Sequence, residues 1–213
     1  RMAEEYGKDT VRAIELLGTD RLPKLFAAKA RVDSWASRIG LGPGFSDRVL
    51  QKVSALFGPH LPPRMTAYRD RYEHHLLLRF ADGGIGEAEA WLGKNFPSDN
   101  GDFFRCTEQE AGKAFLHRFA VAGAAVRYRE VHRQEVEDII ALDIALPRNC
   151  QDWMETLPSS IENGLSHKLY YGHFFCHVFH QDYVVRRGQN PHAIEEAMLA
   201  ILDERGAQYP AEH

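Results

Sequence analysis

Residues 170–183, with the sequence YYGHFFCHVFHQDY, are the stretch from which the rest of the chain can be interpreted. These fourteen residues hold three of the eleven histidines, His173, His177 and His180, and six aromatic side chains. A buried imidazole needs partners for its ring nitrogens, because burying an unpaired polar group costs free energy. The aromatic content favours a β-strand, which we predict over residues 167–185. The clustered histidines indicate that this strand borders a functional site.

The spacing of the histidines limits how they can act together. His173 and His180 are seven residues apart, and in a regular strand an odd separation places two side chains on opposite faces. They can meet only if a bulge or bend lies between them. A metal site would also need a third ligand. From spacing alone, histidines satisfied within the core are the alternative interpretation.

Composition sets the class of protein. The chain has 213 residues, 44% hydrophobic and 26% charged, which suits one large globular domain or two small ones. Three widely separated cysteines, Cys106, Cys150 and Cys176, argue against a disulfide framework and for a reducing compartment. The longest nearly apolar run, residues 119–126, is far shorter than the roughly 20 residues of a spanning helix. We therefore predict no integral membrane segment, and we expect the chain to be a fragment of a longer protein.

The charge is divided unevenly along the chain. Residues 1–72 contain 13 Lys and Arg against 8 Asp and Glu, a net charge of +5, whereas residues 73–213 carry −9. This division predicts two regions with different partners. The basic region could face an anionic lipid surface, or it could be a solvated helical region without such a partner.

Periodicity predicts helices throughout the basic region. We expect helices over residues 2–18 and 19–39, a third that begins at Ser46 or Asp47 and ends near Phe57, and a short basic stretch after residue 62. No strand pattern occurs before residue 72. These helices could lie on a membrane surface or pack on one another.

The pattern changes at residue 72. We predict strands over residues 72–81, 102–106, 137–146 and 167–185, and helices over 87–96, 107–127, 152–164 and 191–205. Thr107 and Glu110 form a capping box at the start of the helix predicted over 107–127. The order indicates an α+β fold with an antiparallel, ferredoxin-like sheet and packed helices, preceded by the all-helical basic segment. The predicted domains are 1–72, completed by about 110–133, and 73–213.

Two further groups could carry chemistry. Arg127 ends the long helix and could grip a carboxylate bidentately, or it could complement the negative end of the helix dipole. The terminal pair Glu212 and His213 combines a ligand or orienting group with an imidazole suited to general-base work near neutral pH. The alternative is that this terminal pair has no chemical role.

Several motifs together resemble the C-terminal half of the bacterial respiratory, FAD-dependent, quinone-reducing D-lactate dehydrogenases. They cover essentially the whole chain in order: residues 72–78 (YEHHLLL), 113–119 (KAFLHRF), 143–146 (DIAL), 168–173 (KLYYGH), 178–183 (VFHQDY) and 205–213 (RGAQYPAEH).

The resemblance implies that different parts of this chain have different roles within a larger enzyme. Residues 73–213 would form most of a substrate cap, and residues 1–72 would form a membrane-associating insertion completed near 110–133. The FAD-binding domain would lie outside this chain. The implied partners are D-lactate, quinone, an anionic phospholipid surface and the enzyme's own FAD-binding domain, with no nucleic acid. The implied location is the cytoplasmic face of the inner membrane, as a peripheral protein.

The resemblance also implies roles for individual residues. In metal-using flavin-dependent 2-hydroxyacid dehydrogenases, the matching positions would make His173, His180 and Glu212 ligands of a divalent metal. His213 would take the hydroxyl proton as hydride leaves for the flavin. His173, His180 and Arg127 would bind the substrate, and His177 would be a packing residue. The family's glycine-rich turn is replaced here by residues 174–179, so a metal-free substrate pocket is the alternative.

Three functional hypotheses follow. The first is a cap and membrane-docking fragment of a D-lactate dehydrogenase, inactive without its flavin domain. The second is a lipid-surface binding module without catalysis of its own, based on the basic region. The third is a free-standing metal-binding or nucleic-acid-binding domain, and the acidity of residues 73–213 disfavours nucleic acid.

Overall fold

The structure is a computed structural model, and it describes residues 1–211. Helices dominate the first two thirds of this range, and the strands lie in the last third. The helices are α1 (Met2–Tyr6), α2 (Lys8–Leu17), α3 (Leu22–Arg38), α4 (Phe45–Ser54), α5 (Pro63–Arg71), α6 (Gly84–Asn95), α7 (Glu108–Val131), α8 (Ser159–Glu162) and α9 (Pro191–Glu204). The strands are β1 (Val136–Ala145), β2 (Leu165–His173) and β3 (Val178–Arg186).

The helical part, residues 1–71 together with α7, is built around α7. The predicted capping box begins this helix: Glu110 donates its backbone N–H to the Thr107 side chain, and the Glu110 carboxylate accepts from the Thr107 N–H. Ala120 and Ala124 are fully buried, and these small side chains let α1 approach closely. The predicted helix 2–18 is divided at Gly7 into α1 and α2. Only glycine fits at this position, because a Cβ there would collide with the backbone of Ala120.

The sheet part, residues 136–211, is an antiparallel sheet with the strand order β1-β3-β2. One face of this sheet packs on α9, where Ile144, Tyr183 and Val185 meet Met198 and Leu202 in a single apolar core. Asn190 caps α9 by accepting the Ala193 N–H. The predicted α+β class with an antiparallel sheet is confirmed.

The aromatic stretch is a hairpin, so the prediction of one long strand over 167–185 is wrong. The chain reverses through a 3₁₀ turn at Phe174–Cys176, and His177 follows in the left-handed region with φ of 55°. Gly172 permits this close pairing, since a Cβ at that position would collide with the backbone of Val178. The bend between His173 and His180 therefore exists without a glycine-rich turn.

Two other predicted strands are wrong. Residues 72–81 and 102–106 form no strand and have no sheet neighbour among the described residues, and the isolated bridge between Ser98 and Gly101 lies outside both segments. Leu76 and Leu77 remain more than half exposed there. Without a partner strand, an apolar run of this kind has no ladder to join.

Smaller differences concern helix ends. The helix that we predicted to start at Ser46 or Asp47 is α4. Its N-cap is Gly44, which is in the left-handed conformation, so Ser46 and Asp47 lie inside the helix and do not cap it. The short helices expected over 152–164 reduce to α8, which has four residues. In residues 1–211, none of the helices has the length and apolar character needed to cross a membrane.

Candidate functional site

The hairpin brings His173 and His180 onto one face of the sheet. His173 lies opposite Val178, and His180 lies opposite Tyr171, so the two histidines are diagonal neighbours. Their ring centroids are 5.8 Å apart, with an interplanar angle of 81°. The two histidines therefore converge, because the hairpin supplies the bend that their spacing requires.

Asp143 joins these histidines from the neighbouring strand. It lies directly opposite His180 across the β1–β3 ladder, and its Oδ1 is 2.5 Å from His180 Nδ1. A carboxylate on one ring nitrogen fixes the orientation and the tautomer of an imidazole. The pair is thus an oriented imidazole–carboxylate pair close to the turn of the hairpin.

A second carboxylate extends the same face. Tyr171 donates its hydroxyl to Asp182 Oδ2 at 2.9 Å, and the Tyr171 ring lies 5.3 Å from the His180 ring. Burial raises the pKa of the Asp182 carboxyl above its ordinary value. Burial, and then the charge of Asp182, raises the pKa of Tyr171 in turn. The face therefore combines a protonated phenol with carboxylates and imidazoles.

The two faces of the sheet differ in character. The α9 face is apolar, whereas the opposite face carries His173, Asp143 and His180 with side chains that reach solvent. The chain returns to this region after α9: Gln208 bridges to Ala145, and the Ala211 N–H donates to the Asp143 carbonyl at 2.8 Å. The predicted groups Glu212 and His213 follow Ala211 in sequence and lie outside the described residues.

A different surface occurs on α3. Val32, Trp35 and Ile39 recur at helical spacing, and all three are exposed, with Trp35 at 57%. Lys24, Arg31 and Arg38 are spaced by seven residues and therefore form an exposed cationic row next to this stripe. We call these six residues the α3 surface. An apolar stripe flanked by cations is typical of helices that lie in a membrane interface.

Comparison with known proteins places the chain in a family. The model of the family described as "D-lactate dehydrogenase, membrane binding" matches residues 1–213. The chain belongs to this family. The membrane-binding character of this family agrees with the α3 surface.

Three relatives carry the name quinone-dependent D-lactate dehydrogenase. The chain is 57% identical to the protein of Escherichia coli K12, 50% to that of Haemophilus influenzae and 41% to that of Corynebacterium glutamicum. Each alignment covers the whole of this chain. The chain spans only 37–38% of the length of these relatives.

Arg127, predicted to bind the substrate carboxylate, lies within the helical part. Its guanidinium is buried, donates twice to Asp9 at 3.1 and 3.2 Å, and donates through Nε to Asp47 at 2.8 Å. A substrate carboxylate would have to displace one of these aspartates. The structure does not bring Arg127 together with His173 or His180 in any contact between the described residues, and its role in substrate binding stays a prediction.

The family's relatives raise the question of whether this chain itself holds a flavin. The sheet of the described part is antiparallel, and the glycines of residues 83–86 lead from an irregular segment into α6 and not from a strand. Dinucleotide sites instead use a glycine-rich turn between a parallel strand and a helix. The described residues therefore do not form a dinucleotide site of this parallel-sheet kind.

Sequence reasoning missed the partners of the histidines. Asp143 was quoted only within a longer motif, although a carboxylate inside an otherwise apolar strand is a signal for a paired group. Asp182 and Tyr171 were equally visible in the aromatic stretch. Their pairing depends on the hairpin register, which a single-strand interpretation cannot provide.

Proposed function

We propose that this chain is the substrate cap and membrane-docking part of an FAD-dependent, quinone-linked enzyme that oxidises D-lactate to pyruvate. The observation that carries this proposal is the convergence of His173, His180 and Asp143 on the exposed polar face of the hairpin. Family membership supports the choice of reaction, because the three relatives are named for it. The FAD-binding domain is proposed to lie outside this chain.

In this proposal the polar face positions the substrate and handles its proton. Oxidation of a 2-hydroxy acid removes the hydroxyl proton, so an imidazole oriented by a carboxylate is suited to receive it or to hold the hydroxyl. His180, held by Asp143, and His173 are proposed to contact the substrate. His213 is proposed as the base, and the bond from Ala211 to Asp143 supports this by bringing the preceding residues to the same strand.

A divalent metal held by His173, His180 and Glu212 remains a prediction. Two imidazoles and a carboxylate would be a plausible donor set for zinc. A metal-free pocket, in which the same groups form hydrogen bonds to the substrate, is the alternative. Metal analysis of the purified intact protein, before and after dialysis against a chelator, distinguishes the two.

The helical part is proposed to attach the enzyme to the bilayer that contains the quinone. The α3 surface offers Trp35 to the interface and three cations to anionic phospholipid headgroups. This would make the enzyme a peripheral protein at the cytoplasmic face of the inner membrane. Residues 73–213 are net acidic, which disfavours nucleic-acid binding as a competing role.

The experiment that tests the catalytic proposal is the substitution His180→Asn in the intact protein. We expect D-lactate turnover with a soluble quinone analogue to fall by roughly 10²–10⁴-fold, the range associated with loss of a positioned acid–base group. The matched control is His192→Asn, because His192 lies on α9 with its side chain 78% exposed. Turnover of His180→Asn equal to that of the control would reject the proposed site.

A second function, lipid binding independent of catalysis, is favoured by the α3 surface. It predicts that the intact protein binds vesicles containing anionic lipid and that binding weakens steeply as salt is raised. If the His180→Asn variant loses turnover and keeps this binding, the two functions are separable. Equal binding to neutral and anionic vesicles would remove the electrostatic part of the proposal.

A further inference from the structure

A second histidine cluster lies inside the helical part, far in sequence from the hairpin. Glu4 belongs to α1, His60 lies in the loop between α4 and α5, and His117 belongs to α7. Glu4 is 8% exposed and His60 is 1% exposed. Each of the three residues offers one ligand atom, and these three atoms lie within 4.8 Å of one another.

The bonds within this cluster leave two ligand atoms unused. The His60 backbone N–H donates to Glu4 Oε1 at 2.7 Å, and His60 Nε2 lies 2.7 Å from His117 Nδ1. Glu4 Oε2 and His60 Nδ1 are 3.2 Å apart, an ion-pair distance, but both are buried and neither has a partner in hydrogen-bond geometry. Buried polar atoms in folded proteins are almost always satisfied, so this pair requires an explanation.

We infer that Glu4, His60 and His117 form a binding site for a divalent transition metal, for which zinc is the best match. Zinc binds imidazole nitrogen and carboxylate oxygen at about 2.0–2.2 Å, so tetrahedral ligand atoms lie about 3.3 Å apart. The separation of 3.2 Å between Glu4 Oε2 and His60 Nδ1 is close to this value. Two histidines, one glutamate and a water molecule are a familiar zinc environment.

The contact between the two imidazoles is compatible with this site. Two ring nitrogens at 2.7 Å share one proton between them. A metal ion on His60 Nδ1 would lie on the other side of the ring from this contact, so His117 becomes its ligand by giving up the bond to His60 Nε2 and turning toward the ion. His117 is only partly buried and lies on the surface side of the cluster, so it can make this adjustment.

The protonation states at neutral pH also suit a metal. Burial, and then the nearby charge of His60, lowers the pKa of His117 to about 4. Burial alone would raise the pKa of Glu4, but the hydrogen bonds and charge of His60 lower it to about 2. Glu4 is therefore an anion and His117 a neutral imidazole at pH 7, which are the forms that bind metal ions.

The site has a structural consequence that differs from the proposed catalytic one. Its ligands come from three segments separated by more than fifty residues, namely α1, the loop before α5, and α7. A metal bound there would cross-link the helical part and stabilise it by its binding free energy. This inference rests on the cluster itself and does not depend on the proposed D-lactate activity.

Zinc titration of the intact protein tests the site. The protein is stripped of metal with a chelator, and binding is measured by calorimetry and by competition with a chromogenic chelator. The His180→Asn background is used so that the hairpin histidines do not add a second site. We expect one tight equivalent of zinc, and an affinity about a hundredfold or more lower in His117→Gln and in Glu4→Gln. His192→Gln is the matched control and should retain the affinity.

Two further measurements on the parent protein test the site even if a variant does not fold. Cobalt(II) in the parent protein should give the intense visible bands of tetrahedral coordination, and these should be lost in His117→Gln. Zinc should also slow backbone amide exchange in α1 and α7 of the parent protein. The inference is overturned if the parent binds no zinc equivalent, if both variants bind as tightly as the parent, or if zinc leaves exchange in α1 and α7 unchanged.

Discussion

The helical part and the sheet part both contain buried or half-buried charge, but they use it differently. In the helical part Arg127 is enclosed between Asp9 and Asp47, and all of its bonds are internal. In the sheet part Asp143 holds His180 at a surface that reaches solvent. Enclosed and fully paired charges hold an arrangement together, whereas charged groups at a surface can be reached by a substrate. We therefore expect a scaffolding role for the first part and the chemistry in the second.

The substitution Arg127→Ala tests this division most severely. Removing Arg127 leaves Asp9 without its ion-pair partner and leaves Asp47 with Lys29 alone, and breaking a buried pair in this way costs about 3–5 kcal/mol. We expect urea denaturation to show this loss, while the KM for D-lactate of the protein that remains folded stays unchanged. Arg187→Ala is the control, since Arg187 is 60% exposed. A KM that rises tenfold or more would instead support Arg127 as a substrate ligand.

Neutralising the cations of the α3 surface should have the next largest effect. Each Lys or Arg near an anionic membrane contributes about 1 kcal/mol, so Lys24→Gln, Arg31→Gln and Arg38→Gln together should weaken vesicle binding about a hundredfold. Turnover with a soluble quinone analogue should not change. The triple variant Arg148→Gln, Arg186→Gln and Arg187→Gln removes the same charge from exposed sites elsewhere. Equal losses in the two triple variants would mean that net charge, and not the α3 surface, governs binding.

The buried histidine of α7 should make stability depend on pH. The pKa of His117 is lowered to about 4 in the folded protein because of burial, so between pH 6.5 and 4 only the unfolded chain gains this proton. Stability should therefore be fully present above pH 6.5 and fall by about 1.4 kcal/mol per pH unit below it, to a total of roughly 3 kcal/mol.

Amide exchange in α7, measured at pH 7 and pH 5 for the parent protein and His117→Gln, checks this dependence. The variant lacks the titrating group, so its stability should change less over this interval. His60 contacts His117, and Glu4 bonds to His60; both residues remain in the two proteins, so the difference between the proteins reports on His117. An identical pH dependence in both proteins would contradict the prediction.

Asp143→Asn should have the smallest effect of the four. The variant keeps the shape of the side chain and removes the charge that orients His180. A hydrogen bond to a charged group contributes about 1.5–3 kcal/mol, so turnover should fall roughly ten- to a hundredfold while the fold is unaffected. Glu137→Gln, on the same strand, is the control. Unchanged turnover would show that His180 does not need this partner.

Most helices and strand β1 could be predicted from the sequence, because their signals are local. The capping box of Thr107 and Glu110, the cap at Asn190 and the β pattern of residues 137–146 each lie within a few residues. The hairpin could not be predicted, because residues 174–177 contain none of the residues that normally mark a turn. Its reversal depends on a 3₁₀ turn and on His177 in an uncommon conformation.

The candidate site was predictable in part for the same reason. His173 and His180 could be identified from the sequence. Their spacing requires a bend between them, but no residue between them indicates that the chain turns there. Asp143 is 37 residues from His180, and Glu4 and His117 are each more than fifty residues from His60. Contacts at such separations depend on packing and register, which no local pattern encodes.

Helix α7 has a mechanical consequence. Its 24 residues span about 36 Å, from the capping box at Thr107 to a junction where Tyr128 stacks edge-on against His167 and Arg129 pairs with Asp138. This helix therefore connects the helical part, which we propose to face lipid, with the strand that carries Asp143. Tilting of the helical part on the bilayer would move the polar sheet face with it, so this helix would set the height at which the substrate meets its oxidant above the membrane.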